Sequence, residues 1–430
     1  MRIGIIDGGG RGAAIANALY NTGRRTRDVT HVYNIGRSVV GGYFAGSAPT
    51  INPNDDEAIA AYVRKMKIDI IIPARDAELC AGLVDRLTAR GITTVGPTAE
   101  AAQLEGSKGF FADLCATVGI PSPASIVCTS TARASSAVRL LHRRFGQLPV
   151  EKADGLWDGK GVVVPETLDE ADAAIAMLMA GGKDVVIQER LDGVEFSFFA
   201  LSDGKVAVPV GSAIDYKRLL DGSIGPNTGG MGAVSPVPFV TKILEDRVMR
   251  EVVRPLLWVM ARRGTPCRGI IYCGMMLTKE GLKVLEVNVR FGDPEAQGLL
   301  PRLDQVNGAT LAELLVATTK DGELEKLSVR LRPEAAVCVV MASAGYPEAP
   351  REGDPIQGLI TNVEGTEVFH AGTKLADDRR TFLTDGGRVL DVVGFAPTVF
   401  EARKRAYARV DTISWDGEQH RHDIAEDIAA

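Results

Sequence analysis

Apolar positions recur at two different periods along the first hundred residues. Buried strands are indicated by short apolar runs such as RIGIID and IDIIIPA, and an amphipathic helix by the spacing in DDEAIAAYVRKMK. The pattern continues with two more predicted helices, AAIANALYNTG and AELCAGLVDRLTARG, and two more predicted strands, THVYNIG and ITTVGP. Strands and helices that alternate at this pace predict a doubly wound parallel sheet. We therefore expect an N-terminal α/β domain over residues 1–103.

The pattern changes after Pro121 and Pro123. Two β segments and a helix come first, and longer strands follow, some of them separated by Asp-Gly turns. A long helix is predicted from about residue 240 to 264, and the tripeptide KEG predicts a hairpin between RGIIYCGMMLT and LKVLEVNVR. We expect a second domain over residues 104–325, with a flexible subdomain at about 122–190, and a small α+β domain over residues 326–430.

The second strand of that hairpin alternates cleanly between apolar and polar residues. Its apolar and polar positions are, in order, Leu285, Glu286, Val287, Asn288, Val289 and Arg290. Successive side chains of a strand point to opposite faces, so the carboxylate, the amide and the guanidinium should share one face. The two oxygen-bearing groups suit Mg²⁺, and the arginine could bind a phosphate or a carboxylate. The alternative interpretation is the solvated side of an antiparallel strand.

Composition and charge exclude several classes of protein. With 49 basic and 55 acidic residues the net charge is −6, which argues against a dedicated nucleic-acid or membrane-surface binder. No apolar run approaches the roughly 18 residues that span a bilayer, and the first residues lack the layout of a signal peptide. Six scattered cysteines are typical of small apolar residues in a reducing compartment, so we expect a cytoplasmic protein. His420 and His422 could bind zinc, but a solvated tail is the favoured interpretation.

Two glycine-rich turns are candidate phosphate sites. In the first, GGGRGA opens a helix, and its free N–H groups favour an anion on Gly9, Gly10 and Arg11, although a simple tight turn is the alternative. A dinucleotide site is disfavoured because the next strand carries no acidic residue to hold a ribose. The second, DGLWDGKGVVV, lacks the spacing of a P-loop but places Lys160 and Gly161 in a loop that could cover phosphates.

Three further sets of residues have both a functional and a bland interpretation. Lys152 lies on the strand before the second glycine turn and is unlikely to be buried without a partner. The loop GPNTGGMGAVSP could close on a ligand or could be an ordinary surface loop. Just before it, Asp215, Lys217 and Arg218 form a mixed-charge group that by itself is usually solvated.

Taken in order, four segments resemble the phosphoribosylamine–glycine ligase family, also called glycinamide ribonucleotide synthetases. They are GPTAEAAQLEGSKGF, EKADGLWDGKGVVV, GPNTGGMGAVSP and EVNVRFGDPEAQ, and FHAGT and GGRVL extend the similarity to the last domain. The resemblance implies an ATP-grasp ligase of purine synthesis that uses ATP and Mg²⁺ or Mn²⁺. It forms an amide through an acyl phosphate, from an amine and an amino acid or other small carboxylic acid. Neither nucleic acid nor membrane is an expected partner, and a monomer or homodimer is expected.

The resemblance also implies roles for individual residues. ATP would be held by Lys108, Lys152, Lys160 and Gly161 at its phosphates, Glu189 at the adenine hinge, Glu195 at the ribose, and Asn227. The metal would be bound by Glu286 and Asn288. The reacting carboxylate and amine would be surrounded by Arg290, Asp293, Asp215, Lys217 and Arg218. The phosphate of the amine substrate would lie near Gly9, Gly10 and Arg11.

Departures from the family pattern fall mainly in the half that binds the amine. Gly12 and Ala13 stand where an acid and a histidine are usual, PARDAEL replaces G-P-E-x-P-L, and Tyr216 replaces a histidine. Asp391 stands where a glycine is usual. Two ligase interpretations therefore remain open: the family reaction itself, and a paralogue that joins a different amine or acid in specialised metabolism. A non-catalytic nucleotide sensor is a weaker alternative, because the lysine, glutamate and asparagine set is kept.

Overall fold

The structure is a computed structural model, and it describes residues 1–26, 28–35, 45–48, 50–157 and 161–429 of the chain. It has the predicted multidomain architecture of α/β and α+β parts. Lys160, and with it the centre of the second glycine turn, lies outside the described residues.

The N-terminal part is a four-stranded parallel sheet in the order β3-β2-β1-β4. Its elements are β1 (Arg2–Ile6), α1 (Gly10–Thr26), β2 (His31–Ile35), β3 (Gly46–Ala48), α2 (Asp56–Met66), β4 (Ile70–Pro73), α3 (Asp76–Cys80) and α4 (Leu83–Ala89). Strand β1 pairs with β2 on one side and β4 on the other, and both come later in the chain, so the sheet grows from β1 in two directions. The doubly wound prediction is confirmed. The glycine turn leaves the carboxyl end of β1, where such sheets bind ligands.

Two predictions for this part are wrong in detail. The helix expected over AELCAGLVDRLTARG is two short helices, because Gly82 adopts a φ of +78° that ends one and starts the other. The segment ITTVGP does not form an extended strand; Thr94 makes a single bridge to Ile71 at the edge of the parallel sheet.

The second part begins with a small sheet flanked by helices. It contains α5 (Gln103–Gly106), α6 (Lys108–Val118), β5 (Ser125–Cys128), α7 (Thr131–Phe145), β6 (Val150–Ala153), β7 (Val162–Val163), α8 (Leu168–Met179) and β8 (Val185–Gln188). The strand order is β5-β8-β6-β7. Ser130 caps the first turn of α7 by accepting from the Arg133 amide, and Gly146 ends that helix in the left-handed conformation.

The remaining elements build an eight-stranded sheet in the order β15-β14-β9-β10-β13-β16-β21-β18. Its strands up to residue 288 are β9 (Gly193–Asp203), β10 (Ala207–Asp215), β13 (Gly232–Ser235), β14 (Arg268–Thr278) and β15 (Gly281–Asn288). The strands β11 (Arg218–Leu220) and β12 (Ile224–Asn227) form a separate hairpin beside the sheet. The helices are α9 (Lys242–Val248), a π-helical turn (Met249–Val253), α10 (Arg254–Arg262), α11 (Glu295–Leu299) and α12 (Leu311–Ala317). The KEG hairpin is confirmed by the antiparallel pairing of β14 with β15.

The C-terminal part contributes three strands to that same sheet. Its elements are β16 (Ala335–Ala342), β17 (Pro355–Ile356), β18 (Thr366–His370), β19 (Thr373–Leu375), β20 (Phe382–Thr384), β21 (Arg388–Ala396) and α13 (Val399–Val410). β16 pairs with β13 on one side and β21 on the other, while β17, β20 and β19 form a separate small sheet. The expected α+β content is present, but its main strands continue the central sheet.

The last residues pack against the preceding domain, so the solvated-tail interpretation is wrong for the segment as a whole, although the His422 side chain is 72% exposed. Arg421 is 1% exposed, bonds Asp423 at 2.7 Å and lies over the ring of Tyr216. The Tyr216 hydroxyl donates to Asp427 at 2.5 Å. This C-terminal segment therefore packs against the strand end that carries Asp215. Across the described ranges, no group of three or more metal-binding side chains is found.

Two other observations bear on the sequence predictions. Cys80 is half-buried, the remaining five cysteines are buried, and all six thiols are free, as expected for small apolar residues. Within the part of the chain that the structure describes, no helix has the length and apolar character needed to cross a membrane.

Candidate active site

A cavity of about 380 Å³ lies between the small sheet and the end of the eight-stranded sheet. It is lined by β6 from one side, by β15 and the turn after it from the other, and by the start of α6. The sequence-predicted residues that line it are Arg11, Lys108, Lys152, Gly161, Asp215, Lys217, Glu286, Asn288, Arg290 and Asp293. Residues far apart in the chain thus share one enclosure.

Three lysines face one carboxylate across the cavity between β6 and β15. Burial lowers the pKa of Lys108 and of Lys152, and in both cases the charge of Glu286 opposes that shift. Burial would raise the pKa of Glu286, but Lys217, Lys152 and Lys108 together hold it below its ordinary value. Glu286 is therefore an anion among three amines that approach it from different elements.

Lys217 is also held by carboxylates. Desolvation lowers its pKa, but Glu195, Glu286 and Asp215 outweigh that effect and raise it overall. Its ammonium lies 3.5 Å from a carboxylate oxygen of Glu195. The side chain keeps 45% exposure, because it faces the open part of the cavity.

The alternating polar residues of β15 do line the cavity together, but a bulge changes the apolar side. Gly274 of β14 pairs with Glu286 and Met275 with Val284, so Leu285 is an extra residue in the strand. Leu285 is consequently half-buried and lies outside the core cluster that contains Val287, although the alternation places both in the core. The regular alternation predicts the polar face correctly and the position of Leu285 wrongly.

Arg290 follows the end of β15 and is fixed by a residue that the sequence did not suggest. Its guanidinium bonds Glu105 at 3.0 Å, and Glu105 also accepts the Val289 amide at 2.8 Å. Burial raises the pKa of Glu105, while Arg290 opposes that shift. A weaker contact of 3.4 Å links Arg290 to the side-chain oxygen of Asn288. The arginine is thus oriented along the wall beside the predicted metal ligands.

Asp293 lies at the far end of the cavity in a second buried polar group. Arg388 bonds it at 3.0 Å, and the Gln297 amide donates both to Asp293 at 2.7 Å and to Asp391 at 2.9 Å. Burial raises the pKa of Asp391 to about 7, with the charge of Asp293 as the next cause. Burial also raises the pKa of Asp215 well above its usual range, helped by Glu295.

A neighbouring cavity of about 310 Å³ opens at the glycine turn. It is lined by residues 6–11 and Arg75 from the N-terminal part, and by Asp293 and residues 386–388 from the others. Arg11 lines both cavities and therefore stands between them. The predicted phosphate residues Gly9, Gly10 and Arg11 are all at this opening.

Four predicted residues do not line either cavity. Glu189 accepts the Ala124 amide at 2.9 Å where the small sheet joins the rest. Glu195 does not line the larger cavity itself, but it pairs with Lys217, which does. Arg218 is exposed and donates to the Gly225 carbonyl at 2.7 Å, opposite Asn227 in the β11–β12 hairpin. The roles given to these residues stay predictions.

Sequence reasoning missed Glu105, Glu295, Gln297 and Arg388 as functional residues. Arg388 belongs to GGRVL, one of the quoted segments, which could have pointed to it. Gln297 lies one turn beyond Asp293, a spacing at which helical side chains meet. Glu105 likewise lies in a quoted segment, GPTAEAAQLEGSKGF, but its pairing with Arg290 could not be read from local pattern, because that partner is far along the chain.

Comparisons with known proteins agree with this architecture. The phosphoribosylglycinamide synthetase models match as an N domain at residues 1–105, an ATP-grasp (A) domain at 106–296 and a C domain at 336–427. The phosphoribosylamine–glycine ligase of Brucella melitensis is 41% identical, covering 99% of this chain and 97% of its own. That of Streptomyces coelicolor is 40% identical over 100% of both chains.

Solved structures give the same picture. The crystal structure of phosphoribosylamine–glycine ligase from Thermotoga maritima has a TM-score of 0.82 at 31% identity, covering 99% of this chain and 100% of that one. A biotin carboxylase from Campylobacter jejuni shares the fold alone, with a TM-score of 0.70 at 13% identity and coverage of 97% and 92%. The chain therefore belongs to the phosphoribosylglycinamide synthetase family.

Proposed function

We propose that the protein joins glycine to 5-phosphoribosylamine at the expense of ATP, forming glycinamide ribonucleotide in purine synthesis. The observation that carries the proposal is the convergence of Lys108, Lys152 and Lys217 on Glu286 in one cavity. Several amines in a partly buried space repel one another unless anions fill it. A triphosphate bound with a metal ion is such an anion, and Glu286 would share the metal with it.

Glu286 and Asn288 fit a divalent cation that is bound jointly with phosphates. Mg²⁺ usually takes one or two protein oxygens and completes its shell with phosphate oxygens and water. The low pKa of Glu286 keeps its carboxylate ionised for this purpose. When bound there, Mg²⁺ or Mn²⁺ would offset the charge of the phosphates.

The remaining nucleotide contacts are proposed from the family resemblance. The phosphates would be covered by the second glycine turn, with Lys160 and Gly161, and the adenine and ribose would lie near Glu189 and Glu195. Asn227 would approach the nucleotide from the end of β12. Glu189 supports the hinge role by bonding the chain at residue 124, where the small sheet begins.

The reacting groups are proposed to meet between Arg290 and Asp293. Arg290 would hold the carboxylate of glycine while one carboxylate oxygen attacks the terminal phosphorus and ADP leaves. The amine nitrogen then attacks the carbonyl carbon of the acyl phosphate, inorganic phosphate leaves, and the nitrogen gives up a proton. Lys217 would stabilise charge on the transferred phosphoryl group, and Asp215 would face the amine. Arg218 would act from the edge of the site.

The proposal is tested by following ADP release from purified protein with ATP, Mg²⁺, glycine and freshly generated phosphoribosylamine. Turnover should require all four, and Glu286→Gln should abolish ADP formation because it removes the ionised metal ligand. Glu280→Gln, at an exposed position in the β14–β15 turn, is the matched control and should keep full activity. Turnover that persists in Glu286→Gln would contradict the metal assignment.

A ligase for a different amine is the second candidate. The observation that favours it is the buried Asp391, whose second carboxylate oxygen has no partner among the described residues, next to Asp293. A panel of other amines and small acids in the same assay separates the two ligases. If no pair turns over although ATP binds, a nucleotide sensor is favoured instead.

A further inference from the structure

The glycine turn that opens α1 is already engaged by a carboxylate of the chain itself. Asp7 is 4% exposed, and one of its oxygens accepts the Gly9 amide at 2.9 Å. Its other oxygen accepts from the Arg11 guanidinium at 2.7 Å. Asp7 lines the smaller cavity together with both of these donors. The Gly9 amide and the Arg11 guanidinium, two of the donors expected to bind a substrate phosphate, are therefore paired with an internal anion.

Gly12 makes this position of Asp7 possible. A Cβ atom at residue 12 would lie 2.9 Å from the Asp7 Cβ, 3.0 Å from its carbonyl oxygen and 3.3 Å from its Cγ. Any larger residue would push the Asp7 side chain away from the turn. The family pattern has an acidic residue at position 12. In this chain the acidic group comes from Asp7 instead, and it lies against the position that a Cβ atom at residue 12 would occupy.

Two of the three guanidinium nitrogens of Arg11 are already engaged, although the side chain lines the opening. Its Nε is bonded to Asp7, and one terminal nitrogen donates to the Phe291 carbonyl at 3.3 Å. The pair is almost completely buried, with side-chain exposures of 10% and 4%. A phosphate bound at the turn would have to approach the Asp7 carboxylate, and two anions at that separation repel each other in a poorly solvated cavity.

We propose that Asp7 is a specificity-determining residue of the amine site. It competes with a phosphate group for the Gly9 amide and the Arg11 guanidinium, and so weakens binding of a phosphorylated amine at the glycine turn. The inference rests on the proposed function, because it concerns how the same ligase selects its amine. An amine that carries no phosphate loses nothing at this position.

The first test uses inorganic phosphate as the probe and thermal unfolding as the readout. In Asp7→Ala both donors become free and Arg11 is left buried without its partner, so phosphate should raise the unfolding midpoint by several degrees. The wild-type protein should respond less, because in it phosphate is left with the site among the lysines of the larger cavity. Asp7→Asn, which removes only the charge, should respond in the same direction if the alanine variant folds poorly. Asp69→Asn is the matched control, since Asp69 is exposed at the opposite end of the same sheet.

The second test is kinetic. The KM for phosphoribosylamine should fall about tenfold in Asp7→Asn, a change that one charge-assisted hydrogen bond can supply, while the KM values for ATP and glycine stay constant. Arg11→Gln should raise the KM for phosphoribosylamine more in the Asp7→Asn background than in the wild-type background, because only in the former is Arg11 released from its ion pair with Asp7. A larger or equal increase in the wild-type background would overturn the inference.

The outcomes distinguish this inference from the proposed function. If phosphate stabilises the Asp7 variants no more than the wild-type protein, and the variants turn over phosphoribosylamine with the wild-type KM, the inference fails alone. If phosphate stabilises the variants but no form of the protein uses phosphoribosylamine, the proposed function fails and the inference stands.

Discussion

Glu151 is a buried carboxylic acid in the core of the small sheet, and its removal should stabilise the protein in a pH-dependent way. It lies on β6 opposite Ile187 of β8, on the face that packs against α7 and α8, while the next residue, Lys152, faces the cavity. It is 0% exposed, and neither of its carboxylate oxygens has a partner among the described residues. Burial, followed by the charge of Asp172, raises its pKa to about 8.

The size of the effect follows from linkage between protonation and folding. The folded-state pKa of about 8 lies above the reference value of 4.5, so the folded protein binds the Glu151 proton more tightly than the unfolded chain. Stability from this group is full below the reference value and is lost as the pH rises toward the folded value. At about 1.4 kcal/mol per pKa unit, the loss between pH 5 and pH 8 is about 3 kcal/mol.

The assay compares Glu151→Leu with the wild-type protein at pH 5 and pH 8. The free energy of opening is measured in both proteins from hydrogen exchange of the β6 and β8 amides. Its value in the variant minus its value in the wild type should be about 3 kcal/mol larger at pH 8 than at pH 5. Glu166→Leu is the matched control, because it removes a carboxylate that is 70% exposed from the same small domain. An equal pH dependence in Glu151→Leu and wild type would refute the assignment of a buried, protonated Glu151.

Three further predictions concern the active site and its support. Asp391→Asn should raise the unfolding midpoint more at pH 8 than at pH 5. The wild-type protein loses stability as the pH rises toward the folded-state pKa of about 7, because ionising this buried acid is costly. An equal gain at both pH values would contradict this. Tyr216→Phe should lower kcat severalfold with little change in the KM for ATP, because it removes the bond to Asp427 that anchors the strand end carrying Asp215; unchanged initial rates would count against it. Chelation with EDTA should stop ADP formation and added Mg²⁺ or Mn²⁺ should restore it, while Asn288→Ala should need a higher metal concentration for half-maximal activity; full activity in EDTA would exclude the proposed metal.

The sequence predicted best what depends on neighbouring residues. The parallel sheet of the N-terminal part and the shared polar face of Glu286, Asn288 and Arg290 both follow from local periodicity, which the backbone geometry enforces. The family resemblance added Lys108 and Lys152, which local patterns alone left ambiguous between site and surface.

The missed features depend on contacts between distant segments or on single backbone irregularities. Glu105 orients Arg290 and Arg388 holds Asp293 across separations that no periodicity spans. The bulge that keeps Leu285 out of the core is one inserted residue, and it leaves the alternation of the sequence intact. The pairing of Asp7 with the glycine turn was missed for a similar reason, because it depends on the absence of a side chain at Gly12.

The continuity of the eight-stranded sheet sets the order in which the chain can fold during synthesis. β13 lies at position five of that sheet and takes its outer neighbour, β16, from a segment that begins a hundred residues later. The N-terminal parallel sheet can therefore form as soon as β4 has left the ribosome, whereas the wall carrying Asp293 acquires its partner Arg388 only when β21 emerges. Until β16 emerges the edge of β13 is unpaired, so a pause in translation between residues 236 and 334 would leave that edge open to other nascent chains.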